Sequence, residues 1–447
     1  MRKYLFCLFF LILTNFVSNT PIFAIGEINP SQNTVTSTNV LEYYTIDDSI
    51  NYALDNNLSI QQNKLQIEKS KYQIQSAWAM VMPTLKVDAS GGKFDTYATR
   101  AVVGERNYYQ SKLNVNQLLF ATYILPALDI ANLSLKVSID QYEATKDFIT
   151  YQVNQIYYTI LRAANLKKIA EDSIKRNSDH LIAAQELYKI GLTTKANVLQ
   201  TEARLKDTEQ SLTEADKYEK IAKVNFNLIL NRDIKKNFNI DDKNFQIIAT
   251  KNIQTVSIDK LDMYIQKALQ RPNIQMLYKN KDIVNKTISV QESGYYPSVF
   301  ASGSYGFYDY TGFKFNNNNR DWAVAVGLSW TLFDGFLTNS KVNMAKNDYA
   351  QISKNIELTE NTVNQEILDA LLSIKLAKDN IETSKIQTKY AQESYKLFTE
   401  QFKAGLSTNQ ELLDAEYALS LAQVNYVNSI FNLILARKKL EYLTNEL

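Results

Sequence analysis

At 447 residues, with 45% hydrophobic and 21% charged content, the chain is long enough for one large domain or two to three small ones, and its composition excludes disorder. Its 49 basic and 47 acidic residues leave a formal charge of +2, and no basic stripe collects the positive charge, which argues against a nucleic-acid partner. A single cysteine and a single histidine exclude a disulfide framework, a thiolate metal centre and an HExxH zinc motif.

The first 24 residues read as a secretory signal peptide: Arg2 and Lys3, an apolar run from Tyr4 to Leu13, then an exit at Ala24. The run is too short to span a bilayer; the alternative is a short anchor left in place. Cys7 lies inside this run and lacks the small residues that precede a lipid-attachment cysteine. Removal of the segment takes away two cations and no acids, so the rest of the chain, 25–447, has a formal charge of zero. Beyond it no run of 18 apolar residues occurs, which leaves a membrane-spanning β-barrel open, because the sequence signal of a barrel is alternation.

Two windows with period-two patterning follow. In the first, TLKVDASGG (84–92) sets Leu85, Val87 and Ala89 against Thr84, Lys86, Asp88 and Ser90, and YQSKLNVNQLLF (109–120) alternates likewise. In the second, SVFASGSYGFY (298–308) alternates less cleanly, and WAVAVGLSWTLF (322–333) sets Trp322, Val324, Val326, Leu328, Trp330 and Leu332 against small residues. Each window predicts two strands long enough to cross a bilayer when tilted, joined by the polar segments 95–107 and 311–320. An ordinary soluble sheet with one wet face is the competing reading. The aromatic ends (Tyr295, Tyr296, Trp322, Trp330) favour lipid.

Between and after these windows the chain avoids both helix breakers. Nine of the twelve glycines fall within 91–104 and 294–335, and Gly26 stands near the start. Gly191 and Gly405 remain, each isolated in long stretches rich in Lys, Glu, Gln, Ala and Leu. Helices are predicted over 127–190, 192–229, 336–404 and 406–447, the first roughly 95 Å long. Ile356, Val363, Ile367, Leu371 and Ile374 form a narrow apolar stripe suited to coiled-coil packing. Gly191 and Gly405 predict left-handed turns between antiparallel helices. His180, within one of these helices, reads as a surface residue.

The two halves repeat. Pro83 and Pro297 are 214 apart, Phe120 and Phe333 are 213 apart, and Gly191 and Gly405 are 214 apart. Around the glycines Lys189, Leu192, Thr194, Leu199 and Glu202 match Lys403, Leu406, Thr408, Leu413 and Glu416. One unit is therefore built twice: repeat one over about 43–230, a linker at 231–258, and repeat two over about 259–447. Each unit reads as a long helix, a proline, two strands, a very long helix, the glycine turn and another long helix. Four strands cannot close a barrel, and open edges are not tolerated in lipid, so the chain must oligomerise. Two copies would give 8 strands, which enclose little more than packed side chains, and three would give 12, which leave room for a pore and suit a conduit.

The helix-to-strand prolines in AMVMPTLKVDAS and GYYPSVFASGSYG, the corner LSWTLFDGFLTNSKV, the segment ALQRPNIQ, and the tips YKIGLTTKANVL and FKAGLSTNQELLDAEYAL together resemble the TolC family of outer-membrane efflux proteins, across the whole chain after the signal peptide. The resemblance implies an α+β fold: a homotrimeric 12-stranded transmembrane barrel, four strands per chain, continuous with an α-helical coiled-coil tunnel in the periplasm, and 231–258 in an equatorial collar. It implies a passive porin-like duct from the periplasm to the exterior, without cofactor, metal or catalytic residue, working with a periplasmic adaptor and an inner-membrane pump. An ABC exporter in a type I protein-secretion system is the alternative partner, and a secreted coiled-coil protein without a pore is the third reading. Gly92-Lys93 is followed by Phe94, so there is no phosphate-binding loop, and no GxSxG occurs.

By the same resemblance Ile190, Gly191, Leu192, Ala404, Gly405 and Leu406 are adaptor-docking tips. Glu411 and Asp414, with Phe402 and Ser407, would form the periplasmic entrance constriction. Six carboxylates from three chains would favour cations and repel one another there. The competing reading is local: Thr408-x-x-Glu411 fits a capping box, and acids suit the first turn of a helix. The family's well-known gate uses a tyrosine and an arginine where this chain has Phe402 and Ser407. Asn197 and Gln200 hold the positions of Glu411 and Asp414 in the first repeat, so only the second repeat supplies acids.

Overall fold

The computed structural model describes residues 42–93, 107–240 and 260–446, which belong to one compact unit, Glu42–Leu447. The expected signal peptide, the loop within 95–107 and most of the linker 231–258 lie outside the described residues.

A short strand β1 (Glu42–Tyr44) precedes α1 (Ile46–Asn56) and α2 (Leu58–Ala79). Two long strands follow, β2 (Thr84–Lys93) and β3 (Asn107–Phe120), then α3 (Ile124–Lys189) and α4 (Lys195–Ile229). A three-residue strand β4 (Phe238–Ile240) pairs in parallel with β1. The second half runs through α5 (Leu261–Leu269), α6 (Pro272–Glu292), β5 (Ser298–Asp309), β6 (Arg320–Ser329), α7 (Leu337–Lys403) and α8 (Asn409–Leu443). The 66 residues of α3 and 67 of α7 each rise about 100 Å.

The single long helix expected before each strand pair is in fact two. Asn57 leaves helical geometry (ψ 130°), accepts a hydrogen bond from the Ser59 N–H as the cap of α2, and donates through Nδ2 to the Ile229 carbonyl at 2.8 Å. In the second half Arg271 is extended (ψ 147°) because Pro272 follows it and disfavours the helical region. Strand β6 also ends earlier than its alternation suggests, at Ser329 rather than 333. Thr338 donates through its N–H to Asp334 Oδ2 at 2.8 Å, drawing the chain into the helix start instead.

The repeat is visible in the core. Ala53, Ile60, Ile149, Val153, Tyr157, Ile160, Phe226 and Ile229 pack in one buried cluster. Ala268, Ile274, Val363, Ile367, Leu371, Ile374, Leu440 and Leu443, displaced by 214 or 215 residues, pack in a second. All five members of the apolar stripe on α7 are buried. Among the described helices only α8 is long and apolar enough to cross a membrane by composition. It is apolar because it packs on both α7 and α3, burying Leu412, Leu419, Phe431 and Ile434 among others.

The four long strands form one antiparallel sheet in the order β2-β3-β5-β6, so the repeats join at β3–β5. The register aligns the apolar alternation across all four strands: Val87, Leu113, Tyr305 and Trp322 form one row, and Leu85, Val115, Gly303 and Val324 the next. That face is exposed, with Val324 at 76%. The opposite face is polar: Asn114 donates to Asp88 at 2.8 Å, and Lys112 reaches Asp321 at 3.6 Å. Lys112 crosses β5 over Gly306, where an added Cβ would lie 2.5 Å from the lysine side chain. An exposed apolar face backed by a polar one reverses the arrangement expected of a soluble sheet.

Candidate functional site

The functional candidates lie at the ends of the two helical hairpins, α3–α4 and α7–α8. Both turns are the same motif. Gly191 (φ +77°) and Gly405 (φ +72°) are left-handed, and Leu192 and Leu406 donate back to the Leu187 and Gln401 carbonyls at 2.9 and 2.8 Å. This Schellman arrangement satisfies carbonyls that the helix ends leave free. The next helices are capped alike: the Thr194 and Thr408 hydroxyls accept from the Asn197 and Glu411 N–H groups at 3.3 and 3.2 Å. Ile190, Leu192, Ala404 and Leu406 are exposed around the two glycines.

Glu411 is engaged locally. Its Oε2 accepts from the Thr408 N–H at 2.7 Å and from the Thr408 hydroxyl at 2.9 Å, completing a capping box. The backbone N–H, followed by the hydroxyl, holds its carboxyl below the usual carboxylate range. Asp414, one turn on and exposed, accepts from Gln410 Nε2 at 2.7 Å. Ser407 donates to the Phe398 carbonyl at 3.3 Å. Phe402 faces inward at 6% exposure, edge-on to His180 with ring centroids 4.9 Å apart.

His180 corrects the sequence expectation: it is buried at 7% exposure, not on the surface. Helix α3 packs on α4 along one side and α8 along another, so a position that is polar by type becomes interior. Burial pushes the imidazole down to about 4, against the opposing pull of Asn409 and of the Glu416 carboxylate.

Two polar clusters bind the hairpins to each other. Near the turns, Thr201 donates to Asn409 Oδ1 at 3.0 Å, Asn409 Nδ2 donates to Gln200 Oε1 at 3.1 Å, and Gln200 Nε2 donates to Gln410 Oε1. Further along, Glu416 is 3% exposed, and its Oε1 accepts from Ser173 at 2.7 Å, Ser420 at 2.8 Å and Arg176 Nη2 at 3.1 Å. Asn197 and Gln200, which stand where the second tip has acids, both pair with Asn409 of α8 across more than 200 residues, a separation that local sequence pattern does not bridge. Among the described residues no group of His, Cys, Asp or Glu is arranged to hold a metal ion.

A sequence model of the family described as "Outer membrane efflux protein" matches residues 49–232 and 264–446. The chain is 21% identical over 433 residues to the outer membrane protein TolC of Vibrio cholerae, covering 92% of this chain and 93% of that protein. It is likewise 21% identical over 394 residues to a protein of Pseudomonas putida named as the probable efflux pump outer membrane protein TtgC, covering 84% and 77%. Among solved structures, a membrane protein from Pseudomonas aeruginosa superposes with a TM-score of 0.78 at 17% identity, covering 89% of this chain and 90% of that one.

Proposed function

The chain belongs to the outer membrane efflux protein family, and from that premise and the geometry above we propose a passive duct assembled from three copies, which opens to the exterior through a shared barrel. It is an outer-membrane channel protein of the efflux class. The observation that carries the finer reading is the four-stranded sheet with one exposed apolar face and two edges, β2 and β6, that have no partner strand among the described residues. In lipid such edges must be paired, and β2 of one copy against β6 of the next closes a 12-stranded barrel. The polar face then lines the pore, and the hairpins of α3–α4 and α7–α8 form the wall of a periplasmic tunnel. No step of this passage calls for catalysis.

The tips are the proposed docking surface for a periplasmic adaptor: Ile190, Leu192, Ala404 and Leu406 are exposed around glycines that keep the turn narrow. The proposed entrance is the second tip, where Glu411 projects from the first turn of α8 and Asp414 from the next. The capping role of Glu411 is compatible with this, since a capped carboxylate remains charged at neutral pH and exposed. Phe402 would act from behind the entrance, by packing against His180, and Ser407 by fixing the turn. Efflux rather than type I protein secretion is supported by the family description and by the relative named for an efflux pump.

Two measurements test this. Purified protein should run as a trimer after detergent extraction from the outer membrane and should form cation-selective channels in planar bilayers; a monomer without conductance would overturn the duct. In the same assay Glu411→Ala combined with Asp414→Ala should lower cation selectivity, and unchanged selectivity would remove these residues from the entrance.

A further inference from the structure

Helices α4 and α8 both pack along α3, and near the turns they also touch each other, where Gln200 and Thr201 bond to Gln410 and Asn409. Above that cluster they line a groove of about 730 Å³ with α3. Alanines at 163 and 170 of α3, and at 215 and 222 of α4, leave space that longer side chains would fill. Leu166, Ile221 and Val424 make the lining apolar, and Tyr218 of α4 and Leu421 of α8 are exposed beside them. A concavity of this size and character suits a small amphipathic molecule.

The two ends differ in charge. Toward the turns, Arg204 of α4 lies over the Tyr417 ring of α8 at 4.7 Å and bridges the two helices. The acids that line the groove are engaged: Glu416 pairs with Arg176, Asp207 lies 4.0 Å from Arg204, and Glu214 accepts from Gln210. Farther from the turns, the half-buried Arg162 lines the groove with Asn225 and Asn428 and has no hydrogen-bond or ion-pair partner among the described residues. Leu376 stands at the corresponding place in the second repeat, 214 residues on, so the repeat does not call for a cation here. A guanidinium presents a planar fork of donors that matches a carboxylate, and the amides of Asn225 and Asn428 can donate as well. By helix rise Arg162 stands about 44 Å from Gly191 and about 57 Å from the start of α3. Lipid around the sheet does not reach it, and a helix entering along the groove from the turns would meet the Arg204–Tyr417 bridge.

We propose that this groove binds a soluble amphipathic carboxylate, its head on Arg162 and its apolar body along Leu166, Ile221 and Val424. The bound molecule would join α4 to α8 above the turns. The site is built within one chain and does not depend on the barrel, so its test shares no outcome with channel conductance.

The probe is 6-phenylhexanoate, compared with the uncharged 6-phenylhexanol and the cationic 6-phenylhexylammonium. Binding is measured by equilibrium dialysis against the full-length protein in phosphatidylcholine nanodiscs, with empty discs subtracted. The carboxylate should bind saturably, one per chain, and about tenfold more tightly than either analogue. Arg162→Gln should weaken the carboxylate about tenfold and leave the alcohol unchanged, and Arg162→Lys should recover part of the loss. Because Arg162 bonds to nothing in the chain, Arg162→Gln should keep the thermal stability of wild type. Should it fail to fold, Ala215→Trp reads the same site: an indole filling the groove should abolish saturable binding. Carboxylate binding unchanged by Arg162→Gln, or by Ala215→Trp, would overturn the proposal. Tighter binding of the ammonium would also overturn it, by assigning the groove to its acids. Absence of saturable carboxylate binding to wild type would overturn it too, and would mean that a second copy or a protein partner covers the groove.

Discussion

At the tips, single residues decide geometry through backbone preference. An added Cβ at Gly191 or Gly405 meets nothing within 4 Å, so a side chain there would cost only its left-handed conformation. Gly405→Ala should therefore destabilise by about 1–2 kcal/mol and Gly405→Asn by less, measured as loss of thermal stability in detergent. Equal losses for both would point to a contact instead. The glycine positions were legible in the sequence because the surrounding helices exclude glycine; the interior position of His180 was not, because burial there comes from a neighbouring hairpin. His180 also has a pH signature. Its folded-state value of about 4 lies below the unfolded 6.5, so the unfolded chain binds the extra proton first. Stability should be complete above about pH 6.5 and decline on acidification towards pH 4, by about 2 kcal/mol between pH 7 and 5. Denaturation midpoints across that range for wild type and His180→Phe test this; a slope unchanged by the substitution would assign it to other groups.

Between elements, the long helices hold together through two kinds of contact that differ in how far sequence reveals them. Contacts within a hairpin follow the apolar stripe, and Val363, Ile367, Leu371 and Ile374 were readable from spacing alone. Contacts between hairpins add to an apolar cluster of α3 and α8 residues a set of polar pairs that depend on register: Arg176 and Ser173 on α3 meet Glu416 and Ser420 on α8. Nothing in a polar residue on a mostly polar helix says which face another helix will cover. Breaks inside elements were unevenly legible too. Pro272 carries a local signal for the division between α5 and α6 that the expectation of one long helix passed over, whereas Asn57 divides α1 from α2 because its side chain both caps α2 and reaches the end of α4. Because Glu416 is buried, removing its cation should cost more than removing the pair. Arg176→Ala is expected to destabilise by about 3–5 kcal/mol, whereas Arg176→Met with Glu416→Leu should restore most of that. A double-mutant cycle on detergent-solubilised protein measures the coupling, and additive losses would mean that the ion pair does not tie the hairpins.

At the scale of the whole molecule, the proposed barrel would have its sheet meet two media, and the alternation assigns one face to each. The four strands were legible because three alternate with period two, and the fourth, 298–308, less cleanly, over lengths that suit a tilted bilayer crossing. Their order was not, since joining β3 to β5 pairs residues 179 (Phe120 with Val299) to 200 (Tyr109 with Asp309) apart. That pairing aligns Val324 with Gly303, Val115 and Leu85 on one face, and its neighbour Ala323 with Ser304, Asn114 and Lys86 on the other. Side-by-side residues on one strand therefore provide opposite predictions from the same substitution. An arginine at 324 would enter the hydrocarbon, where the midplane cost is about 2–4 kcal/mol per chain, and three copies would incur it together. An arginine at 323 would, in the proposed barrel, enter a hydrated pore beside Lys86 and Asn114. Val324→Arg should abolish trimer recovery from the outer membrane, whereas Ala323→Arg should assemble normally and shift channel selectivity away from cations. If instead Ala323→Arg failed to assemble and Val324→Arg did not, the apolar face would be covered by protein rather than lipid. The barrel would then have to be replaced by a soluble assembly, because the same register cannot serve both.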